Sequence, residues 1–169
     1  MVLGDDGTLL VASEATTIAG AVSAYVARLS PTCPSPVTVS GGGCTGAAGP
    51  IALHVDERPW LGGELRTTTT GLAPGSLAST VFGLTLNPRP LATLHPLGAP
   101  GCTLWCDADL LLRFDVVADT LASRLAVPNA PSLLGAAFHH QVVPVEVDAV
   151  GDITALVASP AVTLSFGAL

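Results

Sequence analysis

Apolar and polar residues alternate along much of this chain. In residues 110–117, Leu110, Leu112, Phe114 and Val116 alternate with Leu111, Arg113 and Asp115. In residues 162–166, Val162, Leu164 and Phe166 face one way while Thr163 and Ser165 face the other. Successive strand side chains point to opposite faces of a sheet, so this pattern predicts strands with one buried side. Short apolar runs bounded by turn residues predict further strands at 36–40, 51–55, 61–70, 77–86, 91–95, 104–106, 120–127, 136–147 and 153–158. Within 61–70 the consecutive Thr67, Thr68, Thr69 and Thr70 favour a strand with a hydroxyl-bearing outer face. Within 77–86, Phe82, Leu84 and Leu86 fall on one face. The chain opens on a turn, Gly4-Asp5-Asp6-Gly7, followed by the apolar Leu9, Leu10 and Val11. Residues 15–29 are read as strands, with a helix as the alternative because Ile18, Val22, Val26 and Leu29 also satisfy a helical face.

The 18 glycines and 14 prolines punctuate most of the chain, close to the roughly eight- to twelve-residue rhythm of short strands joined by turns. About ten short strands in one domain imply an all-β fold, an antiparallel β-sandwich of jelly-roll or Ig-like kind. The segment 33–50 is mostly Pro, Ser, Gly and Thr, and forms the candidate boundary. It separates an extended N-terminal arm, residues 1–35, from a sandwich domain, residues 36–169. No internal repeat is evident.

Composition narrows the partners. A chain of 169 residues is long enough to bury one core without help from a metal or a second subunit. Only 11% of residues are charged, against ~25% in ordinary soluble domains. The surface must therefore be covered by Thr, Ser, Gly, Ala and Pro, which makes it prone to association. All six basic residues are Arg, which reads as a biased genome rather than a functional signal. A net charge of −7 without a basic run excludes nucleic acid and anionic membrane as partners, since both need clustered cations. No apolar run approaches the ~20 residues of a membrane span, and no N-terminal signal pattern is present, so the chain reads as a mature form.

Cys33, Cys44, Cys102 and Cys106 make an even set in a Pro- and Gly-rich chain, and in exported proteins such sets form bridges. A zinc site is the rival, but zinc prefers C-x2-C knuckles in matched pairs, and neither pair here makes one; free buried thiols are the third reading. Adjacent His139 and His140 point to opposite faces of a strand and are poorly placed to share a metal, so they are read as surface or turn histidines. His54 and His95 have no supporting Glu or Cys spacing. Asp107 with Asp109, and Asp5 with Asp6, offer carboxylates at turns but lack the further acids of a calcium loop. Asp56, Glu57, Glu64, Asp115, Glu146 and Asp148 supply acids for glycosidase chemistry with nothing to pair them. Ser132 and Ser159 sit beside prolines but in no nucleophile elbow, and Gly41-Gly42-Gly43 lacks the Lys and helix of a phosphate loop. Neither a metal, a cofactor nor catalysis is expected. Trp60 is the candidate ligand platform, whereas Trp105, close to two cysteines, is expected to cover a disulfide.

From about residue 40 to 169 the order of short motifs is informative. They are Gly43-Cys44, Pro59-Trp60-Leu61-Gly62, Gly101-Cys102-Thr103-Leu104, and Val127-Pro128-Asn129 with Pro131-Ser132-Leu133-Leu134-Gly135 running on through Phe138 and Gln141, then a closing strand over 159–167. In this the chain resembles a module found in many exported bacterial proteins of unknown role. The resemblance implies export and a β-sandwich, and no activity. It also implies a Cys44–Cys102 bridge, because those two cysteines commonly occur together in the module. Cys33 and Cys106 look like additions to it and are expected to pair with each other, a local Cys102–Cys106 bridge being the alternative.

Two functional expectations follow. One is a non-catalytic extracellular structural subunit that polymerises through β-edges into a filament or cell-surface coat, with strand donation from the N-terminal arm. The other is a carbohydrate-binding or adhesive module that presents Trp60 to a glycan.

Overall fold

The computed structural model describes residues 35–115 and 118–168, of which 113–115 by backbone only, and before them the backbone of five short strands. These are β1 (Val2–Leu3), β2 (Leu9–Ala12), β3 (Thr17–Ile18), β4 (Ala21–Val22) and β5 (Val26–Leu29). β2 pairs antiparallel with both β1 and β5, and β3 pairs with β4. The described parts of 15–29 are thus strands rather than a helix.

The body runs through β6 (Val37–Gly41), the short pair β7 (Thr45–Gly46) and β8 (Gly49–Pro50), β9 (Ala52–Glu57), β10 (Glu64–Thr70), β11 (Leu77–Gly83) and β12 (Leu86–Pro90). A one-turn helix α1 (Leu91–Leu94) leads to β13 (Thr103–Cys106), β14 (Leu110–Asp115) and β15 (Thr120–Ala126). A 3-10 turn (Pro131–Leu133), which holds Ser132, precedes the long β16 (Ala137–Val147), then β17 (Ile153–Leu156) and β18 (Ala161–Ser165). Among the described residues no helix is long and apolar enough to cross a membrane.

These strands make an all-β, sandwich-like fold. The larger sheet has six strands in the order β14-β11-β16-β18-β6, with β17 on the other half of β16, and a three-stranded sheet β15-β10-β9 packs on its inner face. Leu65 of β10, Phe82 of β11, Phe138 of β16 and Leu164 of β18 share one core cluster between the sheets. The alternation seen in 162–166 works as expected, with Val162 and Leu164 buried and Phe166 packed on the same cluster. On the outer face of the large sheet lies a third layer, the β12–β13 ribbon and α1. Leu91, Leu104 and Cys106 pack there in one cluster with Val81 and Val143.

Gln141 fixes that layer. Its Oε1 accepts the Trp105 N–H at 2.9 Å, and its Nε2 donates to Thr103 O at 2.9 Å and Ser159 O at 2.8 Å. One carboxamide thereby acts as a piece of strand, giving the edge of β13 the donor and acceptor that a neighbouring backbone would supply.

The structure corrects several local expectations. The segment 91–95 is a helical turn, not a strand. Gly98 packs so closely on it that a Cβ there would lie 2.2 Å from the Leu91 carbonyl carbon. The strand expected over 77–86 stops at Gly83, where a Cβ would fall 2.0 Å from the Asp107 carbonyl oxygen. The chain crosses itself at that point and leaves the sheet, so Phe82 is buried while Leu84 is 71% exposed and Leu86 43%. Only half of the threonine run forms the outer hydroxyl face. Thr67 and Thr69 share the inner face with buried Leu65, and their neighbours in the run take the outer side.

Candidate functional site

Polar residues gather in three places. The first is a seam inside the sandwich. His140, fully buried on β16, accepts or donates through Nε2 to the Thr67 hydroxyl at 3.0 Å and through Nδ1 to Val81 O at 3.1 Å. Because a carbonyl only accepts, Nδ1 must carry the proton, and Thr67 then donates to Nε2. Phe82 stacks on the imidazole with centroids 4.5 Å apart. Burial without a counter-charge pulls His140 down to about 4. Beside it Thr80 Oγ1 and Ser123 Oγ share a hydrogen bond of 3.0 Å. Both His139 and His140 are buried, which corrects their reading as surface or turn residues. Their strand lies inside the large sheet and is covered on both faces.

The second is the outer face of β6, β18 and β16. Ser40 Oγ hydrogen-bonds Thr163 Oγ1, and Thr163 Oγ1 meets His139 Nδ1 at 2.9 Å. Burial lowers the His139 pKa and favours its neutral form. Trp105 stands at the end of this chain of groups. Its Nε1–H donates to Gly42 O at 3.0 Å, and its ring lies over Gly41, where a Cβ would fall 2.2 Å from the indole. Trp105 therefore rests on glycine backbone at Gly41 and Gly42.

The third is the staple. Cys44 and Cys102 form a disulfide with Cα atoms 5.4 Å apart, as the resemblance implied, and the Ala158 N–H donates to Cys44 Sγ at 3.0 Å. Cys106 is a buried free thiol, pushed up to about 11 chiefly by burial. Its expected partner Cys33 lies outside the described residues, as do Thr8, Val116 and the acids Asp5 and Asp6.

The remaining candidates do not converge. Half-buried Trp60 occupies a turn pinned to the closing strand, with the Leu61 N–H donating to Gly167 O at 2.8 Å and the Gly167 N–H to Pro59 O at 3.2 Å. His54 and His95 are exposed and stand apart from the buried pair; His95 Nδ1 accepts the Leu97 N–H. The acids are occupied one by one. Asp56 accepts the Thr68 hydroxyl, while Glu57 and Glu64 both contact Arg66. Asp107 holds Asn87 and Arg89, and Asp109 accepts the Leu84 N–H. Buried Glu146 accepts the Ala47 N–H at 2.7 Å, and Asp148 accepts those of Val150 and Asp152. The Asp115 side chain is outside the described part. No group of three or more His, Cys, Asp or Glu is placed to hold a metal among the described residues.

Ser40, Thr163 and Gln141 are polar residues whose roles depend on strands meeting across the sequence. Only the outward direction of Thr163 was visible beforehand, from its place between Val162 and Leu164. No protein-family model, curated protein or solved structure matches the chain.

Proposed function

We propose that this protein is a non-catalytic extracellular structural subunit that polymerises edge to edge into a surface filament or coat. The observation that carries the reading is the state of the large sheet's two ends. Among the described residues β6 and β14 each pair on one side only. Both free edges present aliphatic side chains, Val39 at 75% exposure on β6 and Leu111 at 60% on β14. Val39 points toward the inner side, like Val37, but a sheet of three strands cannot cover one of six. Natural sheet edges are commonly blunted with Lys, and this chain has none. Two unlike edges at opposite ends of one sheet give a head-to-tail contact, which extends into a fibre when the rotation does not close. The disulfide supports an oxidising, extracellular setting. Residues 1–35 add a route for strengthening the contact, by giving a strand to a neighbour's free edge.

The reading is tested with Val39→Lys and Leu111→Lys, both at exposed positions where the fold tolerates a charge. Sedimentation and electron microscopy of the parent should show polymers. Each single variant should be monomeric, and a one-to-one mixture of the two should give dimers and nothing larger, since each keeps one good edge. A parent that stays monomeric at high concentration, or lysine variants that polymerise like the parent, would end the reading. Deleting residues 1–30 tests the arm alone: equal assembly by the truncated chain removes strand donation and leaves edge pairing.

A further inference from the structure

We infer that the outer face of β6 and β18, at the foot of Trp105, is a binding site for a neutral oligosaccharide. A sugar ring needs an aromatic plane for its C–H face and hydroxyl partners that both give and take hydrogen bonds. Both are built here from strands distant in sequence.

The plane is held rigid. Trp105 is fixed through Nε1 to Gly42 O and through its backbone N–H to Gln141, and Gly41 supports one side of the ring. It remains half-exposed. A ring already held in place loses little freedom when a ligand stacks on it.

The hydroxyl partners form a reversible relay. With the proton on Nε2 of His139, Thr163 donates to Nδ1 and Ser40 donates to Thr163, so Ser40 offers lone pairs outward. With the proton on Nδ1 both bonds reverse, and Ser40 offers its O–H. A sugar hydroxyl fits either state, and a neutral imidazole at the end of the relay keeps both available. Ser40 immediately precedes Gly41, so the relay begins beside the indole. Exposed Thr38, opposite Thr163 in the ladder, and half-buried Ser165 extend the hydroxyl surface along the strands. None of these residues carries a fixed charge, and Arg89, on the neighbouring ribbon, is engaged with Asp107. The site therefore suits an uncharged ligand. It uses the face of the sheet and leaves both edges free, so it stands whether or not the subunits polymerise.

The test uses Trp60→Phe as the background, leaving Trp105 as the sole indole reporter, titrated with cellohexaose and with maltohexaose up to millimolar concentrations. A saturable change in emission with at least one sugar is expected. Thr163→Val, which keeps the shape and removes the middle of the relay, should weaken that binding about tenfold, the equivalent of one lost hydrogen bond. Ser40→Ala, at a half-buried position, should weaken it in the same direction with a nearly unchanged melting temperature. The inference is overturned if neither sugar changes the emission, if the relay variants bind like the background, or if binding by the parent disappears on Trp60→Phe alone.

Discussion

His140 shows how much one side chain can govern the stability of the fold. Its two ring nitrogens are used by one acceptor and one hydroxyl, Val81 O and Thr67, and this pairing fits the neutral ring only. Leu65, Thr69, Thr80, Phe82, Phe138 and Val142, on the same inner faces of β10, β11 and β16, bring no charge to it. The folded protein holds the proton only below about pH 4, whereas the unfolded chain takes it up near 6.5. Between those values the unfolded state binds more protons, so stability falls as the pH drops from about 6.5 toward 4 and is fully present above that window. The loss amounts to about 3 kcal/mol from this one group. Urea denaturation across the window should show that slope in the parent, and His140→Gln should flatten it. A parent curve without slope would mean that the ring is charged or solvated in the folded state.

At the scale of elements, the outer ribbon is held by a side chain rather than by a ladder. Removing the Gln141 carboxamide strands the Trp105 N–H and the carbonyls of Thr103 and Ser159. Gln141→Leu should therefore cost about 3 kcal/mol, measured in urea, and Trp105 should lose its near-ultraviolet dichroism as β13 loosens. The strands themselves were largely legible in the sequence, because alternation in 110–115 and 162–166 and the turn residues between runs mark them directly. The exceptions share a cause. Four residues, Leu91–Leu94, are too few to show a period, and a contact with Gly98 decides their shape. Gly83 ends β11 only because Asp107 arrives there from far along the chain. The histidines lie in Phe138-His139-His140-Gln141-Val142-Val143, where burial on both faces erases alternation. The relay of Ser40, Thr163 and His139 draws on three strands, so no local spacing announces it. Thr67 and Thr69 did carry a signal, since they share the odd-numbered face of β10 with Leu65, but an unbroken threonine run obscures it.

Over the whole molecule the bridge joins the start of the body to the outer layer. Cys44 and Cys102 lie 58 residues apart, and the loop that they close is worth about 4 kcal/mol through the unfolded chain. Replacing both by Ala should lower stability by that amount in urea while leaving the far-ultraviolet spectrum unchanged. An equal loss from reduction of the parent would assign the effect to the bond itself.

The large sheet begins at β6 and ends at β14, and the two ends differ in sequence, in length and in exposed side chains. A polymer made by joining them would have a direction. One tip would always show the valine-bearing edge and the other the leucine-bearing edge, so subunits would add to the two tips at different rates. A peptide copying β14 would then arrest one tip and leave the other growing.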